Sequence, residues 1–199
     1  KLTGLTELNF FDNNLGGPLP AGLNALTKLQ VLTLSHNKLE GTLPSSLGTL
    51  SNLQELYLDD NLFNGTLLPF TQSAMLHNLF LNSNQFTGTI PGTFLQAAAN
   101  IPSSDQWQVN LDDNNLSGLI PASLQRLQDV NLTISMSNNA FTGFENGTVL
   151  CNNVKWNDGQ VSMFGCDAIA CEKGSTNPMG RATFESECVT CATSIFCGL

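Results

Sequence analysis

The stretch "LDDNLFNGTLLP" (residues 58–69) has near copies in "LSHNKLEGTLP" (34–44) and "LDDNNLSGLIP" (111–121). A leucine, an asparagine, a glycine and a proline keep their offsets while the residues between them drift. Laid over itself, the first part of the chain repeats this asparagine as Asn13, Asn37, Asn61, Asn84, Asn114 and Asn139, in steps of 24, 24, 23, 30 and 25 residues. Five and three positions before each stand apolar residues: Leu8 and Phe10, Leu32 and Leu34, Leu56 and Leu58, Leu79 and Leu81, Val109 and Leu111, Ile134 and Met136. That alternation predicts a short strand with one buried face in every repeat. A further apolar residue follows each asparagine by two positions and a glycine by four, and proline closes the first five repeats at Pro20, Pro44, Pro69, Pro91 and Pro121.

One such unit cannot bury its own leucines, so stacked neighbours must share a core, which makes the protein quasi-one-dimensional. An asparagine at each strand-to-loop corner would be buried, and a buried amide must find backbone partners for its donors and its acceptor. A ladder of asparagines would then tie adjacent turns together. Glycine permits a tight bend, and proline fixes an extended outer segment that donates no N–H.

The pattern LxxLxLxxNxLxGxIPxxLxxL, visible as "LQVLTLSHNKLEGTLPSSLGTL" (29–50), resembles the plant-specific type of leucine-rich repeat, over residues 2 to about 146. The resemblance implies a right-handed α/β solenoid with a parallel concave sheet and few or short helices. Six repeats would occupy residues 1–147. The chain starts inside a repeat, without the cysteine-bearing amino-terminal cap such solenoids carry, which predicts a piece of a larger protein. Two departures stand out. Pro69 arrives one residue late, and the 30-residue step holds "FLQAAANIPSSDQW" (94–107), long enough for a helical turn and a bulging loop at 95–106.

Composition changes near residue 148. Cys151, Cys166, Cys171, Cys188, Cys191 and Cys197 all fall in the tail, and the first 150 residues have none. An even number of cysteines in a short Gly-containing segment predicts disulfides in an oxidising compartment. Zinc fits less well: Cys188 and Cys191 form a CxxC, but Cys166 and Cys171 are spaced by four and the tail has no histidine. The stretch from Cys171 to Cys191 resembles cysteine-rich modules that follow leucine-rich repeats in surface proteins of diatoms and other stramenopiles, and more loosely ephrin-receptor-type repeats. Residues 148–199 are thus expected to be a carboxy-terminal capping module, with Val149, Trp156, Met163 and Phe164 covering the last turn. Proximity along the chain favours pairing 151 with 166, 171 with 188 and 191 with 197. Sequons at Asn64, Asn115, Asn131 and Asn146 add N-linked glycans to the expectation and place the chain outside the cell or at its surface.

Sixteen acidic residues against seven basic ones give a net charge of −9, which disfavours nucleic acid as a partner. No run of eighteen apolar residues suggests a membrane span. The repeat register puts Asn9, Thr33, Tyr57, Phe80, Asn110 and Ser135 between the strand leucines, on the concave face. The next column is Phe11, Ser35, Asp59, Asn82, Asp112 and Ser137, and the third Asp12, His36, Asp60, Ser83, Asp113 and Asn138. Glu55 and Trp107 are placed on the near side. The candidate ligand-binding set is Tyr57, Asp59, Phe80, Asn82, Trp107, Asn110 and Asp112, aromatic in the middle with an acidic edge.

No enzyme is expected. Asp59 and Asp112 stand two turns apart, about 10 Å at the 4.8 Å strand spacing, slightly wide for a glycosidase pair. Histidines 36 and 77 cannot share a metal, and calcium on Asp59, Asn82 and Asp112 would lack ligands, so neither metal nor cofactor is predicted. What remains is recognition or adhesion, with a protein, peptide or glycan on the concave face. The alternative is a self-associating building block of a wall, sheath or filament. Ice binding is a weaker third possibility, because the concave columns hold no regular row of threonines.

Overall fold

The computed structural model describes residues 2–97, 107–127, 132–145, 175–176 and 189–190. Two six-stranded parallel sheets run the length of the solenoid. The concave sheet comprises β1 (Glu7–Asn9), β3 (Val31–Thr33), β5 (Glu55–Tyr57), β7 (Asn78–Phe80), β9 (Trp107–Asn110) and β11 (Leu132–Ser135). Its register is the one the repeat dictates: Leu8, Leu32, Leu56, Leu79, Val109 and Ile134 are successive partners across the strands. Asn9, Thr33, Tyr57, Phe80, Asn110 and Ser135 form the adjoining column. All but Leu8 of the first set are buried, in one core that continues through every described turn.

The second sheet was not predicted. It comprises β2 (Gly16–Gly17), β4 (Lys38–Thr42), β6 (Leu62–Thr66), β8 (Gln85–Gly88), β10 (Asn115–Ile120) and β12 (Ala140–Phe144), formed by the segment between asparagine and proline. Its strands bury Leu39, Phe63, Phe86, Leu116 and Phe141 and expose the positions on either side, Ser117 only in part. Glycine has a different role there from the bend the sequence suggests. Gly65 lies within β6 at φ +76°, and a Cβ on it would come within 2.7 Å of the Thr42 methyl on the preceding turn. Gly118 is in the same position against the methyl of Thr89, at 2.8 Å. The glycine thus supplies a left-handed backbone step and a slot for its neighbour's threonine.

Proline closes the outer strand in an extended conformation, with ψ near 134° at Pro20 and 132° at Pro44. It opens a single 3-10 turn at Ala21–Ala25, Ser45–Thr49 and Ala122–Leu127. The late Pro69 is absorbed at Phe70, which turns back with a positive φ of 49° while its ring remains wholly buried against Phe94. The predicted 95–106 bulge falls largely outside the described residues. So do the six cysteines and their pairing, apart from a two-residue antiparallel contact of β13 (Ser175–Thr176) with β14 (Val189–Thr190).

The asparagine ladder is complete from Asn37 to Asn139. Asn61 Nδ2 donates to the carbonyls of Leu58 and Asp59 in its own turn and of Leu34 in the turn before, while its Oδ1 accepts from the Leu39 amide at 3.0 Å. The same four contacts recur at Asn37, Asn84, Asn114 and Asn139. The Asn13 side chain donates only to the Phe10 and Phe11 carbonyls of its own turn. Replacing Asn84 by alanine strands the buried Phe63 amide, while the carbonyls of Leu58, Leu81 and Asn82 each keep one other donor, and should cost about 2–3 kcal/mol in chemical denaturation. Asn13→Ala should cost less than about 1 kcal/mol.

Candidate functional site

The concave face is built around Tyr57 and Phe80, on adjacent strands, with ring centroids 5.2 Å apart and planes inclined at 34°. Their side chains rise between the core leucines because strand alternation sends every second residue outward. Both are half-buried, flanked by each other and by their own strands. The Tyr57 hydroxyl donates to Glu55 Oε2 at 2.7 Å and accepts from Asn78 Nδ2 at 3.3 Å. His77 Nε2 stands 3.7 Å from the other oxygen of Glu55. A small polar network thus holds the tyrosine ring upright beside Phe80; the sequence placed Glu55 on the near side of this surface but assigned neither Asn78 nor His77 to the site. Glu55 and Asn78 are direct partners in the strand register, so the column that contains them was the available signal.

Trp107 is a correction. Placed on the concave face from sequence, it is fully buried. It pairs with Leu132 and precedes Val109 by two, and residues two apart on a strand share a face. Gln108, not Trp107, occupies the column of Glu55 and Asn78. The indole Nε1 is buried without a hydrogen-bond partner, so Trp107 belongs to the core. The exposed aromatic of the concave surface that the sequence reading left out of the site is Phe11, 52% exposed, whose ring meets His36 edge-on at 5.1 Å.

The remaining candidates lie where the register puts them. Asp59 Oδ1 accepts from Ser35 Oγ of the preceding turn at 2.5 Å. Asp112 reaches forward to Ser135 Oγ, at 2.7 Å from each carboxylate oxygen, and accepts from the Ser137 amide. Asn82 stands between them in the column, with its Oδ1 buried and unpartnered. The Asn110 side chain accepts from the Asp112 amide at 3.0 Å. The third column has a backbone cause: Asp12, His36, Asp60, Ser83, Asp113 and Asn138 all have φ between 51° and 56°. Aspartate and asparagine tolerate this left-handed conformation better than most residues. Part of the acidic edge therefore answers a demand of the chain path, whereas Asp59 and Asp112 meet no such demand. The Asp60 side chain is the more exposed of the adjacent pair, at 43% against 16% for Asp59.

Models of the leucine-rich repeat match residues 4–26, 28–50, 52–73, 75–97 and 108–127, together more than half of the chain. The chain belongs to the leucine-rich repeat family. The sixth repeat, outside those matches, is recognised by β11, β12 and the Asn139 contacts. Among solved structures, the leucine-rich repeat ectodomain of the plant membrane receptor kinase GASSHO1/SCHENGEN3 from Arabidopsis thaliana, in complex with CASPARIAN STRIP INTEGRITY FACTOR 2, is 34% identical with a TM-score of 0.63. The match covers 71% of this chain and 16% of that one. The PEPR1–AtPEP1 structure is 33% identical with a TM-score of 0.60, over 71% of this chain and 19% of that one. A plant ice-binding protein is 29% identical with a TM-score of 0.59, over 72% of this chain and 44% of that one. This leucine-rich repeat chain thus spans less than half the length of each of these three. No curated protein matches it. Among the described residues no helix is long and apolar enough to cross a membrane.

Tyr57 is the chain's single tyrosine, so its ionisation can be read directly by ultraviolet absorbance. Burial, then the hydrogen bond to Glu55 and that carboxylate's charge, push its pKa up to about 12. The neutral phenol therefore adds stability that is fully present below the unfolded value of about 10 and is lost as pH rises through about 12. The phenolate should appear with a midpoint near 12 in the folded protein and at lower pH in Glu55→Gln.

Proposed function

We propose that this leucine-rich repeat chain is part of an extracellular recognition protein whose concave face binds a protein or peptide segment. The observation that carries the proposal is the Tyr57–Phe80 pair, two stiff aromatic side chains on adjacent strands beside an acidic column. Aromatic anchors bury large area at little entropic cost, and carboxylates at the rim select cationic groups. No lysine or arginine stands in any of the three outward columns described above, so the partner segment is expected to carry lysine or arginine next to an apolar side chain. A glycan stacked on the two rings is a variant of the same reading.

The similar solved structures support this reading, since the receptor kinase ectodomain is in complex with CASPARIAN STRIP INTEGRITY FACTOR 2 and PEPR1 is paired with AtPEP1. The sequons support it from the other side: Asn64 and Asn115 are exposed on β6 and β10 of the outer sheet, where glycans would leave the concave face bare. Asn131 and Asn146 lie outside the described residues. The cysteine-rich tail, with its likeness to modules of stramenopile surface proteins, favours an oxidising compartment. We read the chain as a binding module and not an enzyme, because the buried polar side chains among the described residues are serines and asparagines alone.

A second reading rests on the outer sheet, where Thr42, Thr66 and Thr89 are exposed on three successive turns. A regular methyl and hydroxyl array can order water, and this array lies on the sheet that the sequence reading did not consider for ice binding. It stops at Leu119, and a glycan on Asn64 would stand within it, so the concave face is preferred. Selection of peptides from a displayed library against the immobilised chain tests the choice. Binders enriched in basic and apolar residues should lose about 1–3 kcal/mol against Tyr57→Ala or Phe80→Ala, with the leucine core still folded. Neutralising the exposed Asp60 or Asp113 should slow association and flatten its salt dependence more than Asp59→Asn or Asp112→Asn. Binders indifferent to the double aromatic variant would move the working surface elsewhere.

A further inference from the structure

At the edge of the concave face, His36 stands between two carboxylates of the next turn. Its Nε2 is 3.4 Å from Asp60 Oδ2 and 3.9 Å from Asp59 Oδ2, and one donor atom from each residue falls within 4.8 Å of the others. We propose that His36, Asp59 and Asp60 form a three-ligand site for a zinc-class divalent cation, one per chain.

Three features point to a cation beyond simple attraction between a histidine and two acids. The first is spacing. Zinc bonds of 2.0–2.2 Å in tetrahedral array put ligand atoms about 3.4 Å apart, and the observed separations need only small side-chain adjustments to close on one ion. The second is orientation. One oxygen of Asp59 is occupied by Ser35 Oγ at 2.5 Å, which turns the other toward His36, as partners behind a ligand do in zinc sites. The Phe11 ring packs edge-on against the imidazole and limits its rotation, and both His36 and Asp60 are fixed by left-handed backbone steps, at φ 56° and 52°. The third is donor chemistry. An imidazole with two carboxylates suits zinc or its transition-metal neighbours, whereas calcium and magnesium prefer oxygen alone and more of it. Three protein ligands leave a coordination position open to water or to a group from a partner.

The repeat explains why there is one such site. The corresponding trios on other turns are Asp12, Ser35 and His36; Asp60, Asn82 and Ser83; Ser83, Asp112 and Asp113; and Asp113, Ser137 and Asn138. None places a histidine opposite two carboxylates. The other histidine, His77, faces the single carboxylate of Glu55 and serves as the internal control.

Calorimetric titration of the untagged full chain with zinc chloride, in parallel with His36→Gln and His77→Gln, decides the matter. Both histidines are partly exposed, so the variants should fold as the parent does, and circular dichroism checks this. Any zinc held by tail thiols is common to all three proteins and cancels in the comparison. The proposal predicts one equivalent of zinc that His36→Gln binds at least about tenfold more weakly, His77→Gln binds as the parent does, and Ser35→Ala binds about tenfold more weakly by loosening Asp59. Excess magnesium should not compete. Identical isotherms for the parent and His36→Gln, or no uptake by the parent at millimolar zinc, would overturn it.

Discussion

A single side-chain amide sets the height of every turn. From Asn37 onward each ladder asparagine holds two carbonyls of its own turn, one carbonyl of the turn before and one amide of that turn's outer segment, so it closes a corner and joins two repeats at once. Asn114 shows how strict the demand is. Thirty residues separate it from Asn84 instead of 23 to 25, yet it meets Leu81 O and Phe86 N at 3.0 Å each, as its counterparts do. The longer step, which falls between β8 and β9 along the chain, leaves the corner contacts unchanged. Leucines then pack at whatever spacing the amides impose, and the continuous core follows from the ladder as much as from burial of apolar surface.

The same constraint divides the variable residues into two kinds. The position just before each ladder asparagine is forced into a left-handed backbone, and its Asp, Asn, Ser and His content reflects that before any ligand is considered. The positions one and three places earlier have ordinary strand-like surroundings, and there the choice of residue is free. Tyr57, Phe80, Asp59 and Asp112 are all of this second kind. Local conformation does not account for them, and that makes them informative about recognition. His36 is an intermediate case, its backbone dictated by the corner and its imidazole placed by Asp59, Asp60 and Phe11 of neighbouring turns.

Most of the fold is legible in the sequence because the solenoid repeats its long-range contacts at a fixed offset. The concave register, the buried leucines and the ladder all follow from one aligned motif. Trp107 has the aromatic character of a surface anchor, but strand parity puts 107, 109 and 111 on one face, and that face is the core. The outer sheet was missed because its strands carry one buried side chain between exposed ones and a central glycine, a pattern that resembles a turn. The parallel pairing of Gly65 with Phe86 shows that this glycine lies within a strand. The network of Glu55, Asn78, His77 and Tyr57, like the trio around His36, depends on side-chain directions across strands that no local pattern encodes. The disulfide, domain-boundary and insertion assignments concern residues outside those described.

Amide hydrogen exchange measured residue by residue on the intact chain tests the central role of the ladder most directly. The Leu39, Phe63 and Phe86 amides donate to the Oδ1 atoms of Asn61, Asn84 and Asn114 rather than to backbone carbonyls. If these side chains lock the turns together, the three amides exchange as slowly as those of Leu58 and Leu81 at the ends of the concave strands, opening only with global unfolding. Exchange of Leu39, Phe63 and Phe86 at the rate of the exposed outer loops, with Leu58 and Leu81 still protected, would contradict the account and leave the leucine core as the sole organiser of the stack.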